Sequence, residues 1–232
     1  MKTVGILGGM SWESSLEYYR IINQLVQQQL GGLHSAKLVM VSVDFAPIEA
    51  LMPRGEWEHI AEYLVDGAKQ VERAGADFLL IATNTMHKMY SQISEAISIP
   101  VLHIADAAAE SILQARLSRI GLLGTKYTME QDFYTARLKN QYNLDVLLPD
   151  ERDRLEIDRI IFEELVVGKI DPGSKAEYLR IIEDLAAQGA QGIVLGCTEI
   201  MLLVGPQDVS VPVFDTTYLH AEMAVRIALS DD

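Results

Sequence analysis

Cysteine is almost missing from this chain: 232 residues contain one, Cys197. A single thiol excludes an intramolecular disulfide framework and leaves no CxxC pair for structural zinc. Basic residues are also scarce, 19 Lys and Arg against 33 Asp and Glu, for a formal net charge of −14. That balance argues against nucleic acid, whose phosphates need a basic face, and an acidic small molecule would need a local cluster of donors to override the global field. No apolar run reaches the ~18 to 20 residues that span a bilayer. Met1-Lys2 leads straight into a strand-like run with no cleavable leader pattern. The expectation is a cytoplasmic protein with no membrane partner. His34, His59, His87, His103 and His220 show no i, i+4 pairing, so no metal site is expected. The dinucleotide fingerprint is absent too, because Gly5, Gly8 and Gly9 are spaced GxxGG rather than GxGxxG.

What is present reads as an ordinary globular chain, 49% hydrophobic and 22% charged. Its length suits one large domain or two of roughly 115 residues each. Lys2 to Leu7 reads as a first strand, and Gly8-Gly9-Met10-Ser11 as a tight turn onto a helix from about Trp12 to Leu30, capped by Ser11. Paired glycines there would let backbone N–H groups approach a ligand anion. Lys37 to Val43 is a second strand, followed by a loop through Asp44, Pro47, Pro53, Arg54 and Gly55. Glu56 to Ala74 is an amphipathic helix with Ile60, Leu64, Ala68 and Val71 on one face. A third strand, Ala76 to Ala82, ends at Thr83-Asn84-Thr85. Tyr90 to Ala96 reads as helix and Ile99 to Ile104 as a further strand.

The second half repeats the first. Val4 to Gly9 (VGILGG) matches Ile120 to Thr125 (IGLLGT). Ala74 to Thr83 (AGADFLLIAT) matches Gln188 to Cys197 (QGAQGIVLGC), and Ile99 to Val101 matches Val211 to Val213. Three segments in one order at nearly constant offset predict two similar three-layer α/β domains, with mainly parallel sheets related by a pseudo-two-fold axis. The expected boundaries are 1–98 plus 213–232 for the first domain and 99–212 for the second. The last helix, from about Thr217 to Ser230, returns to the first. In open α/β sheets ligands bind at strand C-terminal ends, so the turns Thr83-Asn84-Thr85 and Cys197-Thr198-Glu199 are expected to face a shared interdomain cleft.

Cys197 leaves the end of a buried strand, Gly192 to Leu195. Backbone N–H groups at a following helix start would lower its pKa; the alternative is a small buried hydrophobe. Two opposed acid/base groups across a planar carbanion suit racemisation, which needs no cofactor if hydrogen-bond donors stabilise the charge on the α-carboxylate. Candidate donors are the backbone at Gly8 and Gly9, the Asn84 amide, and the hydroxyls of Thr85, Thr125, Thr128 and Thr198.

GILGGM near the N-terminus, ATNTMHK at Ala82 to Lys88 and LGCTEI at Leu195 to Ile200 resemble the three signatures of the cofactor-independent aspartate/glutamate racemase family, in the right order along the whole chain. The resemblance implies two α/β domains, an acidic amino-acid substrate, no pyridoxal phosphate and two cysteines as opposed bases. Cys197 matches the second cysteine, the one facing the L-enantiomer's α-proton. Thr83 occupies the first position, where a hydroxyl is a far weaker acid than a thiol. It is read as a proton donor or relay, or as a structural hydroxyl.

Thr83 and Cys197 are thus the expected catalytic pair. Gly9 and Met10 of the first signature join Asn84, Thr85, Thr125, Thr128 and Thr198 as expected substrate contacts. Arg54 and Lys169 are candidates for a substrate carboxylate or plain surface charges. The family pattern has an arginine near Pro47 where this chain is apolar. His87 either orients Thr83 or sits on a helix surface. Glu199 would raise the pKa of Cys197 or bind a ligand amine. Other readings are a single-cysteine decarboxylase or isomerase of the same superfamily, a broader-specificity amino-acid racemase, and a catalytically silent amino-acid-binding protein. A homodimer is the candidate assembly.

Overall fold

The computed structural model describes residues 1–230. The chain divides into two compact units, Met1–Ile104 joined by the segment from His220, and Ala105–Leu219.

The first unit is built on a parallel sheet of β1 (Val4–Gly8), β2 (Leu38–Ser42), β3 (Phe78–Ile81) and β4 (Val101–Leu102), in the order β2-β1-β3-β4. Strand alternation assigns its two faces. Val4 and Ile6 of β1 share a core with Tyr18 and Ile22 of helix Trp12–Leu30, and with Ala221 and Val225 of helix Thr216–Leu229. Gly5 and Leu7 point the other way, against helix Trp57–Arg73. A Cβ on Gly5 would run into Val71, and one on Gly67 into Leu7. Helices thus cover both faces, which is why β1 is wholly buried and apolar.

The second unit repeats this plan. Strands β5 (Arg119–Gly124), β6 (Asp145–Leu147), β7 (Ile193–Gly196) and β8 (Val213–Asp215) are parallel in the order β6-β5-β7-β8. Helices Glu151–Glu163 and Pro172–Ala187 pack on β5. Each starts on an aspartate, Asp150 accepting from the Asp153 N–H and Asp171 from those of Gly173 and Ser174. The repeat seen in the sequence is a repeat of sheet topology, β1 to β4 answering β5 to β8.

Two local expectations are corrected. The loop after β2 contains a helix, Phe45–Leu51. Asp44 caps it, and Pro47 lies in the first turn, where no N–H is needed. The strand expected over 99–104 is only Val101–Leu102, and Ile104 already opens helix Ile104–Gln114. Among the described residues no helix is long and apolar enough to cross a membrane.

Candidate functional site

In the first unit, the turn after β3 begins where the ladder to β1 ends, with the Ala82 N–H donating to the Leu7 carbonyl at 2.9 Å. Thr83, Asn84 and Thr85 are all buried. The backbone here is held by side chains from outside the strand. Ser14 Oγ donates to the Ala82 carbonyl at 3.1 Å, and the ring of His87 bonds the Thr83 carbonyl at 2.8 Å. A five-residue 3₁₀ helix, Thr85–Met89, then carries His87 back over the turn. His87 is 2% exposed, so the surface alternative for it is overturned: its ring is a buried hydrogen-bonding group.

In the second unit, the equivalent turn after β7 is held by its own side chains. Cys197 Sγ donates to Glu199 Oε2 at 3.1 Å, and Thr198 Oγ1 donates to the same oxygen at 2.7 Å. All three residues are buried. Gly196, directly before the thiol, pairs with Gly124 of β5. A Cβ at Gly196 would come within 2.8 Å of the Leu123 carbonyl, and one at Gly124 within 2.8 Å of the Gly196 carbonyl. Only glycine lets these two strands end side by side here.

The expected lowering of the Cys197 pKa is corrected. Burial pushes the thiol well above its ordinary value, and the Glu199 carboxylate adds to this by charge and hydrogen bond. The Glu199 N–H pulls the other way and is outweighed. No α-helix begins at the thiol; only the 3₁₀ turn Ile200–Leu202 follows. The resting group is therefore a thiol that donates its proton to a carboxylate.

Two further buried groups went unnoticed in the sequence, one of which acts on this turn. Asp158, on helix Glu151–Glu163, accepts from the Lys126 N–H at 2.8 Å, and its charge also raises Cys197. Burial raises its own pKa. Tyr178 is fully buried, its hydroxyl donating to the Ile157 carbonyl at 3.4 Å, and burial raises its pKa well above the ordinary value. Helical spacing beside Ile157 and Ile161 was the only sequence signal for Asp158, and it marks burial rather than chemistry.

The remaining expected residues fall into separate surroundings. Thr125 caps helix Lys126–Glu130, its Oγ1 accepting from the Thr128 N–H at 3.3 Å and lying 3.2 Å from Thr128 Oγ1, both beside the end of β5. Met10 is buried. The Gly9 N–H, expected to face a ligand, donates instead to Ser15 Oγ at 2.7 Å. Gly9 has φ +92°, and a Cβ there would strike the backbone of Val43, so its glycine is required by the chain itself. Arg54 is exposed, 3.7 Å from Glu56, and Lys169 is exposed beyond the left-handed Gly168. Among the described residues no group of three or more His, Cys, Asp or Glu is placed to hold a metal ion.

The model of the Asp/Glu/hydantoin racemase family matches residues 7–224. A crystal structure of a candidate Asp/Glu racemase from Yersinia pestis superposes with a TM-score of 0.92 at 53% identity, covering 99% of this chain and 100% of that one. An aspartate racemase homologue from Pyrococcus horikoshii gives 0.86 at 35% identity, covering 99% and 100%. The broad specificity amino-acid racemase RacX of Bacillus subtilis is 22% identical over 98% of both chains. The chain belongs to the cofactor-independent Asp/Glu/hydantoin racemase family and is an amino-acid racemase, an isomerase.

Proposed function

We propose that the protein racemises acidic amino acids, aspartate or glutamate, with Cys197 as the acid/base group on the L-side and Thr83 serving the opposite face. The observation that carries this reading is the 3.1 Å hydrogen bond from the only thiol to a buried carboxylate at the end of a central strand. A protonated thiol is not itself a base. Transfer of its proton to Glu199 leaves a thiolate beside a neutral carboxylic acid, with no net change of charge in the buried turn. The thiolate then takes the α-proton, and the carbanion receives a proton on its other face from the Thr83 hydroxyl; Thr83 regains a proton from solvent while Glu199 releases one to solvent, which restores the thiol–carboxylate pair. In the reverse direction the carbanion takes its proton from the Cys197 thiol, for which a raised pKa is no handicap.

The threonines complete the reading. Asn84, Thr85, Thr125 and Thr128 are the donors proposed for the carboxylate charge that develops as the α-proton leaves, with Gly9 and Met10 lining that end of β1, while the Thr198 hydroxyl, which donates to Glu199, orders that carboxylate beside the substrate. Arg54 and Lys169 are the cations proposed for the substrate's side-chain carboxylate.

A broader substrate range is the second reading. It is favoured by the RacX similarity over nearly the whole chain and by helix Phe45–Leu51, which carries no cation. The test is NMR in deuterated water, following loss of the α-proton from L- and D-amino acids in turn. Exchange confined to aspartate and glutamate supports the acidic reading, exchange across neutral side chains the broader one. Exchange at the wild-type rate in Cys197→Ala removes the thiol from the chemistry.

A further inference from the structure

Two successive carbonyls of the Thr83 turn are held by one residue. His87 donates its backbone N–H to the Asn84 carbonyl at 3.1 Å, and its ring Nδ1 lies 2.8 Å from the Thr83 carbonyl. On the other side of the ring, Nε2 accepts from the Ile104 N–H at 3.1 Å. A carbonyl offers no proton and a backbone N–H no lone pair, so the two ring bonds together require the neutral Nδ1–H tautomer.

The partner segment is fixed in turn. Leu102, His103 and Ile104 end the first stretch of the first unit. The Leu102 carbonyl accepts from His220 Nε2 at 3.1 Å, while His220 Nδ1 accepts from the Tyr18 hydroxyl at 2.8 Å. His220 is thus the opposite tautomer to His87, one donating toward this segment and one accepting from it. The His103 ring lies 4.5 Å from that of His87 and also packs on Tyr90. All three histidines are buried.

We propose that His87 is the positioning residue for Thr83: it ties the Thr83 carbonyl to the Ile104 amide, and so sets the direction in which the Thr83 side chain leaves the end of β3. The inference rests on the reading that Thr83 serves the D-face of the substrate's α-carbon. It goes beyond that reading by naming what aims the hydroxyl. A reacting group displaced by about 1 Å loses on the order of 10² in rate, so freeing this carbonyl should be felt at one face of the carbanion only.

The two ring bonds can be separated by substitution. In His87→Asn the side-chain amide N–H replaces Nδ1–H and keeps the Thr83 bond. In His87→Gln the longer side chain puts its amide oxygen near Nε2, keeping the Ile104 bond and giving up the Thr83 one. Each variant is incubated with L-aspartate, and separately with L-glutamate, in deuterated water. The α-deuterated product is then resolved into D and L forms. D product requires delivery from the Thr83 side, whereas deuterated L requires only Cys197. The D:L ratio does not change with the fraction of enzyme that is folded, so a loss of stability cannot imitate the effect.

The expected result is a ratio lowered about tenfold or more in His87→Gln and kept within about threefold of wild type in His87→Asn. An unchanged ratio in His87→Gln, or an equal fall in both variants, overturns the inference. Thr83→Ala is run beside them to test the underlying reading. A wild-type ratio in Thr83→Ala shows that Thr83 does not serve the D-face, and the inference falls with it. A lowered ratio there with an unchanged one in His87→Gln overturns the role of His87 alone.

Discussion

The two strand-end turns occupy matching places in the two sheets and are organised in opposite ways. After β3 the side chains of Ser14 and His87 hold the carbonyls of Ala82 and Thr83, and all the ring bonds involve neutral groups. After β7 the turn's own side chains converge on the Glu199 carboxylate, and the charge of Asp158 adds to it. One turn is fixed through its backbone and the other through its side chains. The difference extends over the units: all five histidines lie in the first and the only cysteine in the second. One topology can thus carry a neutral, rigid turn and an acidic, proton-holding one, because the strands set only where a turn begins.

The largest effect should come from removing the thiol. Cys197→Ala is expected to lower α-proton exchange from the L-enantiomer by roughly 10² to 10⁴, the usual worth of a positioned acid/base group, with little change in melting temperature. Glu199→Gln should sharpen the contrast, since it leaves the thiol but removes its proton acceptor and the negative charge beside it. We expect L-exchange to fall by about 10 to 10², and the pH at which exchange rises to move lower as the Cys197 pKa comes down. A pH profile that stays in place would show that Glu199 does not govern the thiol.

Acid should break the first unit before the second. Burial, and then the proximity of the His87 ring, lower the His220 pKa to about 3, against an unfolded value near 6.5. Between those limits the unfolded chain binds more protons. The stability contributed is whole above pH 6.5 and is lost as pH falls toward 3, by about 2 kcal/mol at pH 5. Urea midpoints of wild type and His220→Gln at pH 7.5 and pH 5 would check this, the pH-dependent loss being smaller in the variant.

Thr83→Cys puts a thiol at the end of both strands while leaving the two turns differently held. The swap changes volume little, and it should raise exchange from the D-enantiomer by about tenfold while L-exchange stays near wild type. Unchanged D-exchange in a folded variant would mean that the first turn does not meet the α-carbon. The smallest effect is expected from Arg54→Ala and Lys169→Ala, a KM for acidic substrates raised a few-fold with kcat little moved, because both side chains are solvated. If KM stays put in both variants, acidic selectivity has another source.

The strands were legible because apolar runs such as Phe78-Leu79-Leu80-Ile81 are bounded by turn residues, and the repeat because three segments kept their order. The position of Cys197 at a strand end followed from the same runs. Helix Phe45–Leu51 was not legible, since Asp44 and Pro47 read as breakers yet serve as cap and first-turn residue. The direction of the Cys197 shift depends on where the Glu199 side chain points and on how deeply the thiol is buried, and neither has a local sequence signature. The tie from His87 to Ile104 joins residues 17 positions apart through a ring tautomer, which no periodicity reports.

Helix Thr216–Leu229 has a consequence for the order in which the protein is made. Its later residues, Ala221, Ala224, Val225 and Ala228, fill one face of the first sheet against Val4, Ile6 and Tyr18. A ribosome delivers them only after the whole second unit has emerged. The nascent first unit therefore waits with part of an apolar face uncovered beside helix Trp12–Leu30 while its younger copy closes, and the half synthesised first is the half completed last.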